Sequence, residues 1–369
     1  MQKRPITEFI EKTNPRLEAL YGENQAPLIL DVITSLLQSH ISVSRTLRNE
    51  RWDQNDVILI AYGDSILASD HPPLQTLNKF LKKYLEGLVS TVHILPFFPY
   101  SSDDGFSVID YKEVNPELGD WKDIAAIRQD FDLMIDLVIN HVSRESLWFI
   151  DFINDRPPAS YFFIEMDPQV DLSEVVRPRK SKVLTPVHTH RGTKHVWSTF
   201  SEDQIDLNFA NPNVLLEIIQ VLLLYLRQGG RFIRLDAIAY LWKKLGTSCI
   251  NLEQTHEVVK LLRDIMETAS PDCVLLTETN LPNEQNLSYY GEGDEAHMIY
   301  QFSLAPLLLH ALHRGTSHYL NKWAQNCCNA PAGCTFLNFK ASHDGIGVRP
   351  AEGLIPQGEL DALIEAMHG

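Results

Sequence analysis

The chain has 369 residues, enough for a barrel-sized domain with insertions. At 44% hydrophobic, 22% charged and 9% aromatic residues it has an ordinary globular composition, which excludes disorder over most of its length. Lys and Arg total 32 against 48 Asp and Glu, and the net charge of −16 argues against sequence-independent binding to nucleic-acid phosphates or to anionic membranes.

In chain order, Met1–Thr13 lacks the apolar core of a signal peptide, and no stretch approaches the roughly 18 uninterrupted apolar residues of a membrane span. Residues 1–55 read as a polar helical extension. Its apolar positions (Leu28, Leu30, Val32, Ile33, Leu36 and Leu37) suggest a lid or cap rather than a core of its own. Strand-like runs follow at 57–62, 92–95 and 133–139. From His141 to about Asp206 the rhythm breaks, with Pro, His, Arg and aromatic residues dense, and 142–206 reads as a small inserted domain after the third strand. Within it, His188, His190 and His195 fit no strong zinc spacing and are expected to form a polar rim, so no metal is expected there.

Asn211-Pro212 then supplies a helix cap and a first-turn proline. Val214, Ile218, Val221, Leu222 and Tyr225 fall on one face before Gly229-Gly230 stops the helix. A strand at 231–236, a helix through Val258, Leu261, Leu262 and Ile265, and strands at 273–278, 296–300 and 335–339 complete the pattern. Such alternation specifies βα units, either of a doubly wound sheet or of a (β/α)8 TIM barrel, whose catalytic part would comprise 56–141 and 207–369. The five cysteines, at 249, 273, 327, 328 and 334, are odd in number and form no evident disulfide framework. Cys327, Cys328 and Cys334 read as two buried structural thiols and a loop cysteine. A reducing cytoplasm is the expected compartment.

Chemistry in a barrel gathers at the C-terminal ends of strands. Four runs here end in or just before carboxylates or histidines: Asp136 with Asn140-His141, Arg234-Leu-Asp236, Glu278, and His343-Asp344. Period two places Arg234 and Asp236 on one side of their strand. Each alone is explained by a helix cap or a salt bridge; together they suit retaining glycoside cleavage. That reaction needs one carboxylate as nucleophile, a second as proton donor, and a cation to keep the nucleophile ionised.

The segments Asp136-Leu-Val-Ile-Asn-His141, Ile233-Arg-Leu-Asp-Ala-Ile238, Leu276-Thr-Glu-Thr279 and Ser342-His-Asp-Gly345 resemble the four signature regions of glycoside hydrolase family 13, the α-amylase family. His93-Ile-Leu-Pro-Phe-Phe98, Asp103-Asp-Gly-Phe106, Arg177-Pro-Arg179, Leu245-Gly-Thr-Ser-Cys249, Phe302–His310 and His343–Val348 resemble its sucrose phosphorylase subfamily. The likeness runs from about residue 55 to 350. Ser101–Ser107, Asp203–Asn208 and the N-terminal extension are more similar to the glucosylglycerate phosphorylases of that subfamily than to the true sucrose phosphorylases.

The resemblance implies Asp236 as nucleophile, Glu278 as general acid/base and Asp344 as transition-state stabiliser. Arg234 would sit beside the nucleophile, and Asp103, His141 and His343 would hold glucosyl hydroxyls. Arg179, or its neighbour Arg177, would bind phosphate, an anion suited to a planar guanidinium. Asn140 matches a calcium position of some amylases, but the phosphorylase-like members imply no metal and no cofactor. The implied substrates are a small sugar and phosphate, with no nucleic-acid or membrane partner and an oligomeric state left open. Because the family continues well past its His-Asp pair, the barrel is expected to be incomplete, without its eighth βα unit and C-terminal β domain. A hydrolase or transglucosidase, and an inactive remnant, stay open as alternatives.

Overall fold

The computed structural model describes residues 6–40, 50–326 and 330–368. Cys327 and Cys328 lie outside the described residues. The chain divides into two compact units, Met1–Val274 and Leu275–Gly369.

The first unit runs α1 (Ile6–Tyr21), α2 (Ala26–Ser39), β1 (Ile58–Ala61), α3 (Pro73–Tyr84), β2 (Thr91–Ile94), α4 (Trp121–Ile127), β3 (Asp132–Val138), β4 (His141–Ser143) and α5 (Leu147–Ile153). It continues with β5 (Leu184–Thr189), β6 (Gly192–Trp197), β7 (Gln204–Asp206), α6 (Pro212–Arg227), β8 (Gly230–Asp236) and α7 (Glu253–Ala269). The four strand-like runs of this region form β1, β2, β3 and β8, which pair side by side in that order and all parallel. β2 and β8 are buried throughout and β3 from Leu133 onward, which is why they read as continuous apolar runs rather than as alternating ones. Register does the decisive work: Asp136 lies opposite Arg234, and Val138 opposite Asp236.

Local chemistry sets the helix ends. The Asn211 side chain accepts from the Asn213 amide at 3.0 Å and Pro212 occupies the first turn of α6. The turn after α6 requires glycine, since Gly229 has φ +94° and a Cβ there would lie 2.0 Å from Arg128 Nε. At the N-terminal end of β8, buried Arg231 donates to Asp56 at 2.8 Å and Asp132 at 3.0 Å, pinning the entry to β1 against β3. The N-terminal extension is docked along α7. Phe9, Thr13 and Leu17, one per turn of α1, are buried. Arg16 bonds Asp264 at 3.0 Å and Glu257 at 3.2 Å, and Lys12 bonds Asp264 at 2.7 Å. In α2, Leu30, Ile33 and Leu37 are buried, whereas Leu28 and Val32 face outward.

Between β3 and α6, where the sequence showed no alternation, β4 pairs antiparallel with β7 and β5 with β6. His188 and His190 lie at the end of the β5–β6 hairpin. In the same region Phe149 stacks on Phe152 and both meet Phe163 edge-on, with centroids 5.0–5.5 Å apart.

The second unit opens within β9 (Val274–Thr277) and continues with α8 (Asn283–Leu287), β10 (Met298–Tyr300), α9 (Leu304–Arg314), α10 (His318–Asn326), β11 (Thr335–Leu337) and α11 (Gln357–His368). β9, β10 and β11 pair in parallel, the three strands expected here. A small core of Leu307, Ala351, Ile355 and Leu360 receives Tyr319, Leu320 and Trp323 from α10. Cys334, expected on a loop, is half-buried and donates to the Ala296 carbonyl at 3.5 Å. Among the described residues no helix is long and apolar enough to cross a membrane.

Candidate functional site

The C-terminal ends of β2, β3 and β8 carry a buried line of charge. Arg234 Nη1 donates to Asp236 Oδ1 and to Asp136 Oδ1, each at 2.7 Å. The other oxygen of Asp136 meets His93 Nε2 at 2.7 Å. Asp136, Arg234 and His93 are each within 2% of full burial, and Asp236 is 8% exposed. Burial pushes the Asp236 carboxyl above its usual range; Arg234 opposes this, and the Asp136 charge adds to it. Burial also acts to raise Asp136, but His93 and Arg234 together more than offset it and hold that carboxyl at about 2. Of these neighbours it is the guanidinium, fixing one oxygen, that favours the ionised form of Asp236.

Two further expected residues reach the same strand ends. Asp103 lies in a tight turn, Asp103–Gly105, with left-handed φ of 57° at Asp103 and 48° at Asp104. Gly105 is obligatory there, since a Cβ would lie 2.5 Å from the Pro96 carbonyl oxygen. His141 opens β4, and its Nε2 lies 2.9 Å from the Phe106 carbonyl, an acceptor, so that nitrogen carries the proton. Asn140 Nδ2 then approaches the other ring nitrogen at 3.2 Å. Gln204 Nε2 donates to Asp103 at 2.8 Å and joins the turn to β7. The Tyr111 hydroxyl donates to the carbonyls of Val138 and His141, and Phe200 packs on the His141 ring at 5.2 Å.

Asn140, the calcium-like position, spends its side-chain oxygen on Lys243, whose buried ammonium donates to it at 2.8 Å and to Asp206 at 2.5 Å. Burial pushes Lys243 below its ordinary value, and Asp206 pulls it part of the way back. Of the two candidate phosphate arginines, Arg177 is committed to the carbonyls of Ser198 at 3.1 Å and Thr199 at 3.0 Å. Arg179 is exposed, two residues along from that anchor.

In the second unit Glu278 is half-buried directly after β9. His343 Nε2 lies 3.3 Å from Asp344 Oδ2, and the Asp344 side chain is 67% exposed. The segment bearing Asp344 approaches the one bearing Glu278 closely, because a Cβ on Gly347 would come 2.9 Å from Asn280 Oδ1.

The first unit therefore bonds Asp236 directly to Arg234 and brings Asp103 and His141 together around Gln204, and leaves Arg179 apart. Sequence reasoning did not name His93, Gln204, Asp206 or Lys243 as site residues. Each bonds a residue that it did name or that residue's neighbour. His93 carried a usable signal, as a histidine in a short, otherwise apolar β-strand. Lys243 carried none, because it lies in an irregular segment whose direction only the fold reveals.

Residues 77–338 match the alpha amylase catalytic domain. Glucosylglycerate phosphorylase of Escherichia coli K12 is 46% identical over 368 residues, which cover 99% of this chain and 65% of that protein. Glucosylglycerate phosphorylase of Spirochaeta thermophila is 52% identical over 315 residues, covering 85% of this chain and 54% of that one. The crystal structure of sucrose 6F-phosphate phosphorylase from Thermoanaerobacter thermosaccharolyticum superposes with a TM-score of 0.75 at 30% identity, over 85% of this chain and 65% of that chain. The chain thus spans about two-thirds or less of the length of these relatives.

Proposed function

We propose that this chain, which belongs to the alpha-amylase family, glycoside hydrolase family 13, is the catalytic part of a retaining glucosyl phosphorylase acting on a small α-glucoside, glucosylglycerate ahead of sucrose. The observation that carries the proposal is the buried His93–Asp136–Arg234–Asp236 line, in which Arg234 holds the Asp236 carboxylate at the end of its strand. In the first displacement the Asp236 carboxylate attacks the anomeric carbon while the Glu278 carboxyl gives its proton to the departing acceptor oxygen, leaving a β-glucosyl ester. In the second, a phosphate oxygen attacks the same carbon and the C–O bond to Asp236 breaks. The Glu278 carboxylate accepts the phosphate proton, and the product is α-glucose 1-phosphate.

Asp103, His141 and His343 hold glucosyl hydroxyls, Asp344 favours the positive charge that develops on the ring, and Arg179 holds phosphate. In this reading 56–141 with 207–369 belong to the barrel and 142–206 to its inserted domain, and the reaction takes place in the cytoplasm.

The test is to incubate the 369-residue chain with α-glucose 1-phosphate and, separately, glycerate, fructose or glycerol, and to measure phosphate. The expected result is acceptor-dependent release, greatest with glycerate. Release of phosphate with free glucose as the sugar product, independent of acceptor, would replace the phosphorylase with a hydrolase.

A further inference from the structure

Asp203 has no role in the proposed mechanism, yet three hydroxyls converge on one of its oxygens. Ser101 donates to Asp203 Oδ2 at 2.6 Å, Ser107 donates at 2.7 Å, and Ser102 makes a still shorter bond. Ser101 and Ser102 precede the tight Asp103–Gly105 turn and Ser107 follows it, so one carboxylate oxygen closes the neck of the loop. The next residue, Gln204, holds the tip by donating to Asp103. Asp203 is itself fixed from behind, since its carbonyl accepts from the Arg144 amide at 2.9 Å. Ser143 meets Ser101 at 2.6 Å. Burial acts to raise the Asp203 carboxyl, and the three hydroxyls with Arg144 override it and keep the group ionised.

The loop has reason to need a clasp. Its turn strings together three left-handed residues, two of them aspartates. It also presents more than Asp103: the Phe106 carbonyl takes the His141 Nε2 proton, and the Phe106 ring lies under the Arg234 guanidinium at 5.7 Å. A shift of the loop would therefore move Asp103, turn His141 and change the support of Arg234 together.

We propose that Asp203 is a positioning residue for the glucosyl donor, setting Asp103 and His141 by clamping the Ser101–Ser107 loop. The role in donor recognition rests on the function proposed above; the clamping does not. The full chain carrying Asp203→Ala is compared with wild type by amide hydrogen exchange and by phosphate release from α-glucose 1-phosphate. Ser107→Ala, which removes one donor and leaves the carboxylate, serves as the milder variant. In Asp203→Ala the amides of Ser101, Phe106 and Ser107 should exchange about tenfold faster or more, the scale of one lost charge-assisted bond. KM for α-glucose 1-phosphate should rise about tenfold or more while kcat changes less. Asp103→Asn should cost much less in the Asp203→Ala background than alone, because the first change has already displaced Asp103. Ser107→Ala should move exchange and KM in the same direction by less.

Unchanged exchange in the loop would overturn the clamp. Faster exchange with an unchanged KM, or full additivity with Asp103→Asn, would reduce Asp203 to a structural anchor. If the wild-type chain releases no phosphate with any acceptor, the functional reading fails and exchange alone decides the clamp.

Discussion

In the first unit, Asp136 and Asp236 are buried at the ends of adjacent strands and share one arginine nitrogen at 2.7 Å. In the second, Asp344 stands 67% exposed in a short turn beside His343, after a strand, β11, that is only half-buried. Both regions carry carboxylates to which the family resemblance gives chemistry, but their electrostatic conditions are opposite. Burial makes each charge in the first unit costly and places its orientation under the control of neighbouring charges. Exposure leaves the Asp344 charge hydrated. Function and stability should therefore be coupled in the first unit and separable in the second.

The largest expected effect is at Asp236. On the proposed function, Asp236→Asn removes the nucleophile and should lower phosphorolysis by at least about 10⁴-fold, as loss of a nucleophile does in other enzymes. The sign on stability is the sharper test. The folded-state pKa of Asp236 is raised by burial, so its ionised form opposes folding at every pH above that value. Replacing it by a neutral side chain of the same shape should raise the melting temperature near pH 7, with Arg234 still paired to Asp136. A lower melting temperature would show that the Arg234–Asp236 bond outweighs burial and would remove the contrast between the units.

Asp344→Asn comes next. If Asp344 stabilises developing charge on the ring, activity should fall about 10²- to 10³-fold, the scale of one preorganised electrostatic contact. Stability should change by less than about 0.5 kcal/mol, as for other exposed substitutions. A stability loss well beyond that, measured by thermal melting, would show that the exposed turn is constrained in the same way as the buried strand ends.

The elements follow the same division. All seven strand-like runs are strands; in β2, β3, β8, β9 and β10 the apolar composition follows from burial on both faces, and Arg234 and Asp236 could be paired from period two alone. The partnership of Asp136 with Arg234 needed the β3–β8 register, which no local pattern encodes. The antiparallel pairs β4–β7 and β5–β6 were not foreseen, since their strands are short, polar in part and interrupted by Pro186. The Asp203 loop shows the limit most clearly: the three serines are visible in the chain, but their acceptor lies about a hundred positions away.

The smallest expected effect separates the two aspartates within the first unit. Asp136 is held down at about 2 where Asp236 is raised, although both touch the same Arg234 nitrogen. The difference lies in His93, which adds a second donor to Asp136. A carboxyl whose folded pKa is depressed gives stability that is present above its unfolded value, near 4, and is lost as pH falls through the folded value, near 2. For this group the loss should amount to about 2 kcal/mol over that window, at ~1.4 kcal/mol per pH unit of separation. Asp136→Asn should be less stable than wild type at pH 7, with His93 and Arg234 stripped of their shared acceptor. Its deficit should shrink by that same amount as pH falls toward 2, because a neutral amide has no charge left to lose. Denaturant unfolding of both proteins at pH 5, 4, 3 and 2.5 measures the difference directly. A gap that stays constant with pH would mean that Asp136 titrates as an ordinary aspartate, so that the shared arginine nitrogen is held by Asp236 instead.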